Sequence, residues 1–116
     1  MFNLSKKNCL ITGGAGLLGR EHAIALSKFN CKIILLDINK KRLIEAKKYI
    51  LSKVPKAKVS FYCVDISDEI QIKTLYKDLK VKKIFVNILI NNAAIDPKMD
   101  RMKKVNFDLS NYDTSF

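Results

Sequence analysis

The sequence predicts an α/β fold in which a doubly wound parallel sheet carries helices on both faces. Short, continuously apolar segments alternate with segments whose apolar residues recur at helical spacing, which is typical of such a sheet. All four glycines of the 116-residue chain fall within residues 13–19, where the first apolar segment joins the first helix. About four strands and three helices are expected, with strand order 3-2-1-4 and the fourth strand at an open edge.

The individual elements follow from this periodicity. Strands are expected over residues 8–12, 32–37, 58–65 and 83–90. Helices are expected from residue 17 to about residue 30, over residues 40–52, and after Ser67, which can cap the third helix ahead of Asp68 and Glu69. The residues expected to be buried are Leu18, Ala25, Leu26 and Phe29 in the first helix, Leu43, Ala46 and Ile50 in the second, and Ile72, Leu75, Tyr76 and Leu79 in the third.

Composition bears on several function classes. The net charge is +11, but the lysines are scattered and interleave with apolar residues, which indicates solvated helix faces and argues against a nucleic-acid interface. No apolar run reaches the roughly 18 residues of a membrane helix, and the start shows no signal peptide, so we expect a cytoplasmic location and no membrane partner. Cys9, Cys31 and Cys63 form no metal motif and are expected to be small buried residues.

The glycines form the segment "TGGAGLLG", which begins at Thr12. Gly14-x-Gly16-x-x-Gly19, placed between a strand and a helix, fits the fingerprint of a dinucleotide-binding, Rossmann-type domain. In this interpretation Gly14 forms the tight turn, Gly16 lets a pyrophosphate approach the backbone, and Gly19 lets the helix pack closely on the sheet. The helix N-terminus then directs its N–H groups at the phosphates. The alternative is a merely tight strand–helix connection.

Asp37 ends the second strand and bears on the choice of cofactor. A carboxylate there can accept hydrogen bonds from the ribose hydroxyls of NAD and would repel the extra phosphate of NADP. Ile38 follows it, and Lys40, Lys41 and Arg42 are expected to face solvent, from where they can lend some tolerance for NADP. NAD is the expected cofactor, and NADP is the alternative.

Four segments together resemble the short-chain dehydrogenases/reductases: "TGGAGLLGR", "LLD", "CVDIS" and "LINNAA", in family order and spacing. The resemblance implies that Asp65 and Ile66 border the adenine, that Asn91 braces the sheet, and that Asn92, Ala93 and Ala94 line the nicotinamide-side ribose. A polar turn at a strand end is the alternative for Asn91 and Asn92. The full set of expected cofactor-binding residues is Gly13, Gly14, Gly16, Leu17, Leu18, Gly19, Asp37, Ile38, Asp65, Ile66, Asn91, Asn92, Ala93 and Ala94.

No catalytic residue is assigned. The family's chemistry needs a serine and a tyrosine with a lysine four residues on, all beyond the NNAG strand, and the chain ends 22 residues after Ala94. Tyr49 and Tyr76 match the YxxxK spacing, but they precede the fourth strand and are interpreted as helix packing. His22 is interpreted as a packing or surface residue. The chain alone is therefore expected to be inactive.

The expected organisation is the amino-terminal part of one NAD(P)-binding domain. Residues 1–95 form the strand–helix units, and residues 96–116 form a loop in which a further helix can begin. We expect the chain to be the cofactor-binding portion of an enzyme that moves hydride between a nicotinamide cofactor and a carbonyl or alcohol substrate. A homo-oligomer is possible for the complete protein. The alternatives are a non-catalytic NAD-binding module, a basic nucleic-acid-binding protein, or a sugar-nucleotide or surface-glycan member, because TGxxGxxG also fits the extended branch of the family.

Overall fold

The computed structural model describes residues 2–92 of the chain. Its elements are β1 (Asn8–Thr12), α1 (Leu17–Ser27), β2 (Lys32–Asp37), α2 (Lys40–Lys53), β3 (Val59–Cys63), α3 (Glu69–Val81) and β4 (Ile88–Asn91). The four strands are all parallel and lie in the order β3-β2-β1-β4. The predicted fold class and strand order are confirmed.

The two central strands explain why the apolar runs are continuous. Side chains alternate across a strand, so Ile11 and Leu35 belong to the core beneath α1 and α2, whereas Leu10 and Leu36 belong to the core beneath α3. Each strand is therefore covered on both faces and needs apolar residues at every position. The carboxyl ends of β1, β2 and β4 consequently meet at one edge of the sheet.

The buried face of α1 differs from the prediction. Gly19, Ala23, Ile24 and Ser27 are the buried residues, whereas Leu18 is 61% and Phe29 42% exposed, and Ala25 is exposed as well. The buried face follows Gly19 at four-residue steps because small side chains let the helix approach the turn closely. The helix also ends at Ser27, earlier than expected, and Asn30 then takes the left-handed conformation with φ 68°.

Two strands are shorter than predicted, and one cysteine is not buried. β3 ends at Cys63, and β4 begins only at Ile88, because the segment before it is held by Asn8 and Asn87 and does not join the strand ladder. Cys63 is exposed at the end of the edge strand, whereas Cys9 and Cys31 are buried as expected.

The third helix is capped by Asp68, whereas Ser67 was predicted to cap it. The Asp68 carboxylate accepts hydrogen bonds from the backbone N–H groups of Ile70 (2.9 Å) and Gln71 (3.3 Å). Ser67 instead donates its backbone N–H (2.9 Å) and its hydroxyl (2.6 Å) to Asp65. The predicted buried residues Ile72, Leu75 and Leu79 are confirmed, and Tyr76 is half-buried.

Candidate functional site

The glycine turn connects β1 to α1 at the carboxyl edge of the sheet. Gly13 has φ 63°, a conformation that favours glycine, so Gly13 makes the sharp turn that was predicted for Gly14. A Cβ on Gly14 would lie 2.9 Å from the side chain of Leu35 and 3.0 Å from the carbonyl oxygen of Ile11. Gly14 is therefore required for close packing on β2.

Gly19 and Gly16 differ in what surrounds them. A Cβ on Gly19 would lie 2.7 Å from the carbonyl oxygen of Gly13 and 2.9 Å from the Cα of Gly14, so the close approach at Gly19 is between α1 and the turn. The sheet core is contacted by Ala23 and Ile24, further along α1. A Cβ on Gly16 would meet one described atom within 4 Å, the Gly13 carbonyl oxygen at 3.3 Å. The space beside Gly16 is therefore open along the described part of the chain, as the approach of a ligand to the backbone requires.

The N-terminus of α1 has no side-chain cap in the described part of the chain. Gly16 is the N-cap and offers no side-chain hydrogen bond, and the first turn contains no acidic residue. By contrast, Asn39 caps α2 and Asp68 caps α3 with their side chains. The first N–H groups of α1 therefore have no side-chain acceptor among residues 2–92, and the helix dipole favours negative charge at this position.

Apolar side chains surround this end of the helix. Leu17 is 81%, Leu18 61% and Ile38 67% exposed. Leu17 and Leu18 begin α1, and Ile38 directly follows β2. The site thus combines an uncapped helix N-terminus with exposed apolar surface.

Asp37 lies at the end of β2 and is bonded to the glycine turn. Its Oδ2 accepts a hydrogen bond from the backbone N–H of Ala15 at 3.2 Å, and its Oδ1 accepts one from the N–H of Asn39 at 3.2 Å. An ionised carboxylate has about four acceptor positions, so about two remain for a ligand's hydroxyl groups. The backbone carbonyl of Asp37 also accepts the N–H of Val64 at 2.9 Å, which joins the segment after β3 to the same edge.

Asp65 and Ile66 follow β3 in that segment. The backbone N–H of Asp65 donates to the side-chain oxygen of Gln71 at 2.9 Å, and its carboxylate accepts the two hydrogen bonds from Ser67 described above. Ile66 is half-buried and packs against the core beneath α3. This segment is therefore held in a defined conformation near Asp37.

Thr12 and Asn91 join the ends of β1 and β4. They are partners in the parallel ladder, and the Thr12 hydroxyl donates to Oδ1 of Asn91 at 2.7 Å. The backbone N–H of Asn92 donates to the carbonyl oxygen of Thr12 at 3.2 Å, while the buried Nδ2 of Asn92 has no partner among residues 2–92. Sequence reasoning did not include Thr12, whose position at the end of β1 was the available signal. The predicted site residues Ala93 and Ala94 lie outside the described residues.

The two tyrosines that match YxxxK lie in α2 and α3 and not at the ends of β1 and β4. Tyr49 is in α2, and its hydroxyl donates to Glu21 at 3.1 Å. That hydrogen bond is the main cause of a pKa raised above the ordinary tyrosine value, which is the opposite of an activated, acidic tyrosine. Tyr76 is in α3 and packs against the small core cluster of Val64 and Ile72. His22 is half-buried within α1.

Residues 2–92 also bear on metal sites and membrane-spanning helices. No group of His, Cys, Asp and Glu side chains in this range could hold a metal ion. No helix in the same range is both long and apolar enough to cross a membrane.

The parallel sheet and the glycine turn, with Asp37 bonded to that turn, define a Rossmann-like nucleotide-binding architecture. The sequence profile described as "short chain dehydrogenase" matches residues 7–114. The chain therefore belongs to the short-chain dehydrogenase family, whose members are NAD(P)-dependent oxidoreductases.

Individual relatives agree with this assignment. A short chain dehydrogenase/reductase of Gibberella zeae, dpfgG, is 38% identical over 109 residues, which cover 89% of this chain and 36% of that protein. The crystal structure of levodione reductase matches with a TM-score of 0.72 and 30% identity, covering 82% of this chain and 36% of that one. NAD⁺-bound xylitol dehydrogenase matches with a TM-score of 0.67 and 29% identity, over 81% and 35% of the two chains. The chain thus spans little more than a third of each of these relatives.

Proposed function

We propose that this chain is the cofactor-binding portion of a short-chain dehydrogenase/reductase acting on a carbonyl or alcohol substrate, and that it binds NAD in preference to NADP. The observation that carries the proposal is the Asp37 carboxylate, which is hydrogen-bonded to the glycine turn through Ala15. Solved structures of similar proteins contain NAD or NADPH, so the choice of NAD rests on Asp37 alone.

The residues of the site fit a dinucleotide. The uncapped N-terminus of α1 and the open space at Gly16 would hold the pyrophosphate. Asp37 would accept hydrogen bonds from the adenosine ribose, and Asp65 and Ile66 would border the adenine. The buried Nδ2 of Asn92 is a donor with no partner among residues 2–92, and the nicotinamide-side ribose would supply one. The bound cofactor supplies the hydride chemistry.

Charge is the basis of the NAD preference. The extra phosphate of NADP would be brought to the ribose position next to an ionised carboxylate, and two like charges at close range repel. Lys40, Lys41 and Arg42 are exposed on the first turn of α2, where solvent screens their charge. We expect NADP to bind at least about tenfold more weakly than NAD, equivalent to about 1.4 kcal/mol.

The test compares the two cofactors by isothermal titration calorimetry. Asp37→Asn removes the charge but keeps a side-chain oxygen that can still accept the Ala15 N–H. This variant is expected to bind NAD more weakly and to narrow the gap between NAD and NADP. Glu45→Gln is the matched control, because it removes one negative charge from an exposed position on α2. Equal affinity of the unmodified chain for both cofactors would contradict the proposal.

The chain alone is expected not to catalyse hydride transfer. Tyr49 and Tyr76 lie in α2 and α3 and not at the ends of β1 and β4. Loss of a positioned proton donor typically slows such a reaction by about 10²–10⁴-fold. The assay follows NADH absorbance over a panel of ketones, secondary alcohols and sugar nucleotides. Turnover that disappears in Tyr49→Phe or Tyr76→Phe would show that one of these residues is catalytic and would overturn this expectation.

A further inference from the structure

A cavity of about 610 Å³ lies at the amino-terminal edge of the sheet, opposite the glycine turn. Five lysines line it: Lys32, Lys47, Lys58, Lys82 and Lys83. They come from the starts of β2 and β3, from α2 and from the segment after α3. No aspartate or glutamate is among the described residues of the lining.

Most of these charges are not neutralised within the described structure. Lys82 forms an ion pair with Asp78 at 2.9 Å. The other four lysines form no ion pair with any residue in the range 2–92. Lys58 directly precedes β3, and its carbonyl oxygen accepts the N–H of Ile33, which brings its backbone next to the start of β2 at Lys32. Like charges held this close repel each other, so the arrangement favours an anion between them.

Lys83 has an unusual conformation for a lysine. The N–H of Lys83 donates to the Lys80 carbonyl at 3.0 Å and the N–H of Ile84 donates to the Leu79 carbonyl at 2.9 Å, which is a Schellman ending of α3. Lys83 takes the left-handed position of this motif with φ 58°. Glycine is the usual residue at this position, and asparagine is the usual alternative.

The end of α1 offers a comparison within the same chain. The N–H groups of Asn30 and Cys31 donate to the carbonyls of Ser27 and Leu26, so α1 has the same ending, with Asn30 in the left-handed position. At the end of α3 the left-handed position is taken instead by Lys83, which lines the cavity and for which this backbone conformation is unfavourable. A backbone outlier of this kind points to a functional requirement for the side chain.

The base of the cavity is well defined. The side chain of Asn8 donates to the carbonyl of Phe85 at 3.0 Å, and its backbone N–H donates to the Asn87 side chain at 2.8 Å. These bonds fix the segment between α3 and β4 against the start of β1. The lysines therefore extend from ordered strand and helix ends.

We propose that this lysine-lined cavity binds a small soluble molecule that carries two or more phosphate groups. The lysines line a recess whose volume is within the range of about 300–1,000 Å³ of small-molecule sites. A polynucleotide would instead require cations spread along an extended surface. The glycine turn lies at the other edge of the sheet, so the two sites are separate.

The probe is inorganic tripolyphosphate, and its binding to the purified chain is measured by calorimetry at physiological salt concentration. Lys47→Gln is expected to weaken binding roughly tenfold, as loss of a charge-assisted contact does. Lys48→Gln is the matched control, because it removes the same charge from the next residue of α2, which is exposed and outside the lining. Lys83→Gly is expected to weaken binding as well, with a Tm that is unchanged or higher.

A double variant separates this site from the cofactor site. In a Gly16→Val background, where the glycine turn is altered, tripolyphosphate is expected still to bind and Lys47→Gln is expected still to weaken that binding roughly tenfold. The proposal is wrong if tripolyphosphate does not bind, or if Lys47→Gln and Lys48→Gln weaken binding equally. It is also wrong if Lys47→Gln has no effect in the Gly16→Val background, or if a single-stranded oligonucleotide binds more tightly than tripolyphosphate. A lowered Tm in Lys83→Gly would contradict the argument from its left-handed conformation.

Discussion

A single methyl group added at Gly19 is expected to destabilise the fold, whereas the same group at Gly16 is expected to have little effect on stability. At Gly19 the new Cβ would lie 2.7 Å from the Gly13 carbonyl oxygen and 2.9 Å from the Gly14 Cα. Both are backbone atoms of the turn and cannot rotate away as a flexible side chain does. At Gly16 the closest described atom lies at 3.3 Å, and its φ of −73° and ψ of 169° suit any residue.

The magnitude follows from two opposing effects. Forcing extra atoms into a packed site costs about 1–3 kcal/mol. Replacing a glycine inside a helix by alanine returns about 1 kcal/mol of helix propensity. Because two contacts at Gly19 fall below 3.0 Å, we take the upper end of the cost, which leaves a net loss of about 2 kcal/mol. Loss of the better N-cap residue at Gly16 costs less than about 1 kcal/mol.

Urea unfolding followed by far-UV circular dichroism measures both variants against the unmodified chain. In a thermal unfolding experiment the same loss of about 2 kcal/mol would lower the Tm by roughly 10 °C in a domain of this size. If Gly19→Ala unfolds at the same or a higher urea concentration, α1 can move away from the turn and the packing argument is wrong. A loss in Gly16→Ala as large as that in Gly19→Ala would contradict the contrast between the two sites.

Further predictions concern binding, thiol reactivity, pH and capping. Gly16→Val is expected to abolish NAD binding in calorimetry without changing the circular dichroism spectrum, because its side chain would occupy the open space. In the native protein a thiol reagent is expected to modify the exposed Cys63 rapidly and the buried Cys9 very slowly, and Cys63→Ser should remove the fast reaction. Burial raises the pKa of Cys9 from 9.0 to about 12. Its thiolate is therefore favoured in the unfolded chain, so unfolding titrations should show stability that is full below pH 9 and falls as the pH rises toward 12. Asp68→Ala is expected to lower the free energy of unfolding by about 1 kcal/mol, since it leaves two N–H groups of α3 without their cap.

Much of the fold and site could be predicted because the signals are local. β1 and β2 have the predicted bounds because strands buried on both faces must be apolar at every position. Asp37 was predicted at the end of β2, and the structure adds the hydrogen bond that joins it to Ala15.

Contacts between distant segments were not predictable in the same way. The hydrogen bond between Thr12 and Asn91 depends on strand register across 79 positions. The buried face of α1 is built largely from small residues around Gly19. Close packing of small residues does not produce the spacing of large apolar residues from which a buried helix face is predicted. Lys32 and Lys58 were predicted at the starts of strands, but the lysines were interpreted together as solvated helix faces. That interpretation did not use the fact that the starts of parallel strands meet at one edge of the sheet.

The exposed apolar side chains around the glycine turn have a thermodynamic consequence. Leu17, Leu18 and Ile38 are each more than 60% exposed. A dinucleotide placed across the turn would remove part of this surface from water, and burial of apolar surface lowers the heat capacity. Cofactor association should therefore become more exothermic as the temperature rises. Substituting Leu17 by serine should flatten that temperature dependence while leaving the N–H groups of α1 in position.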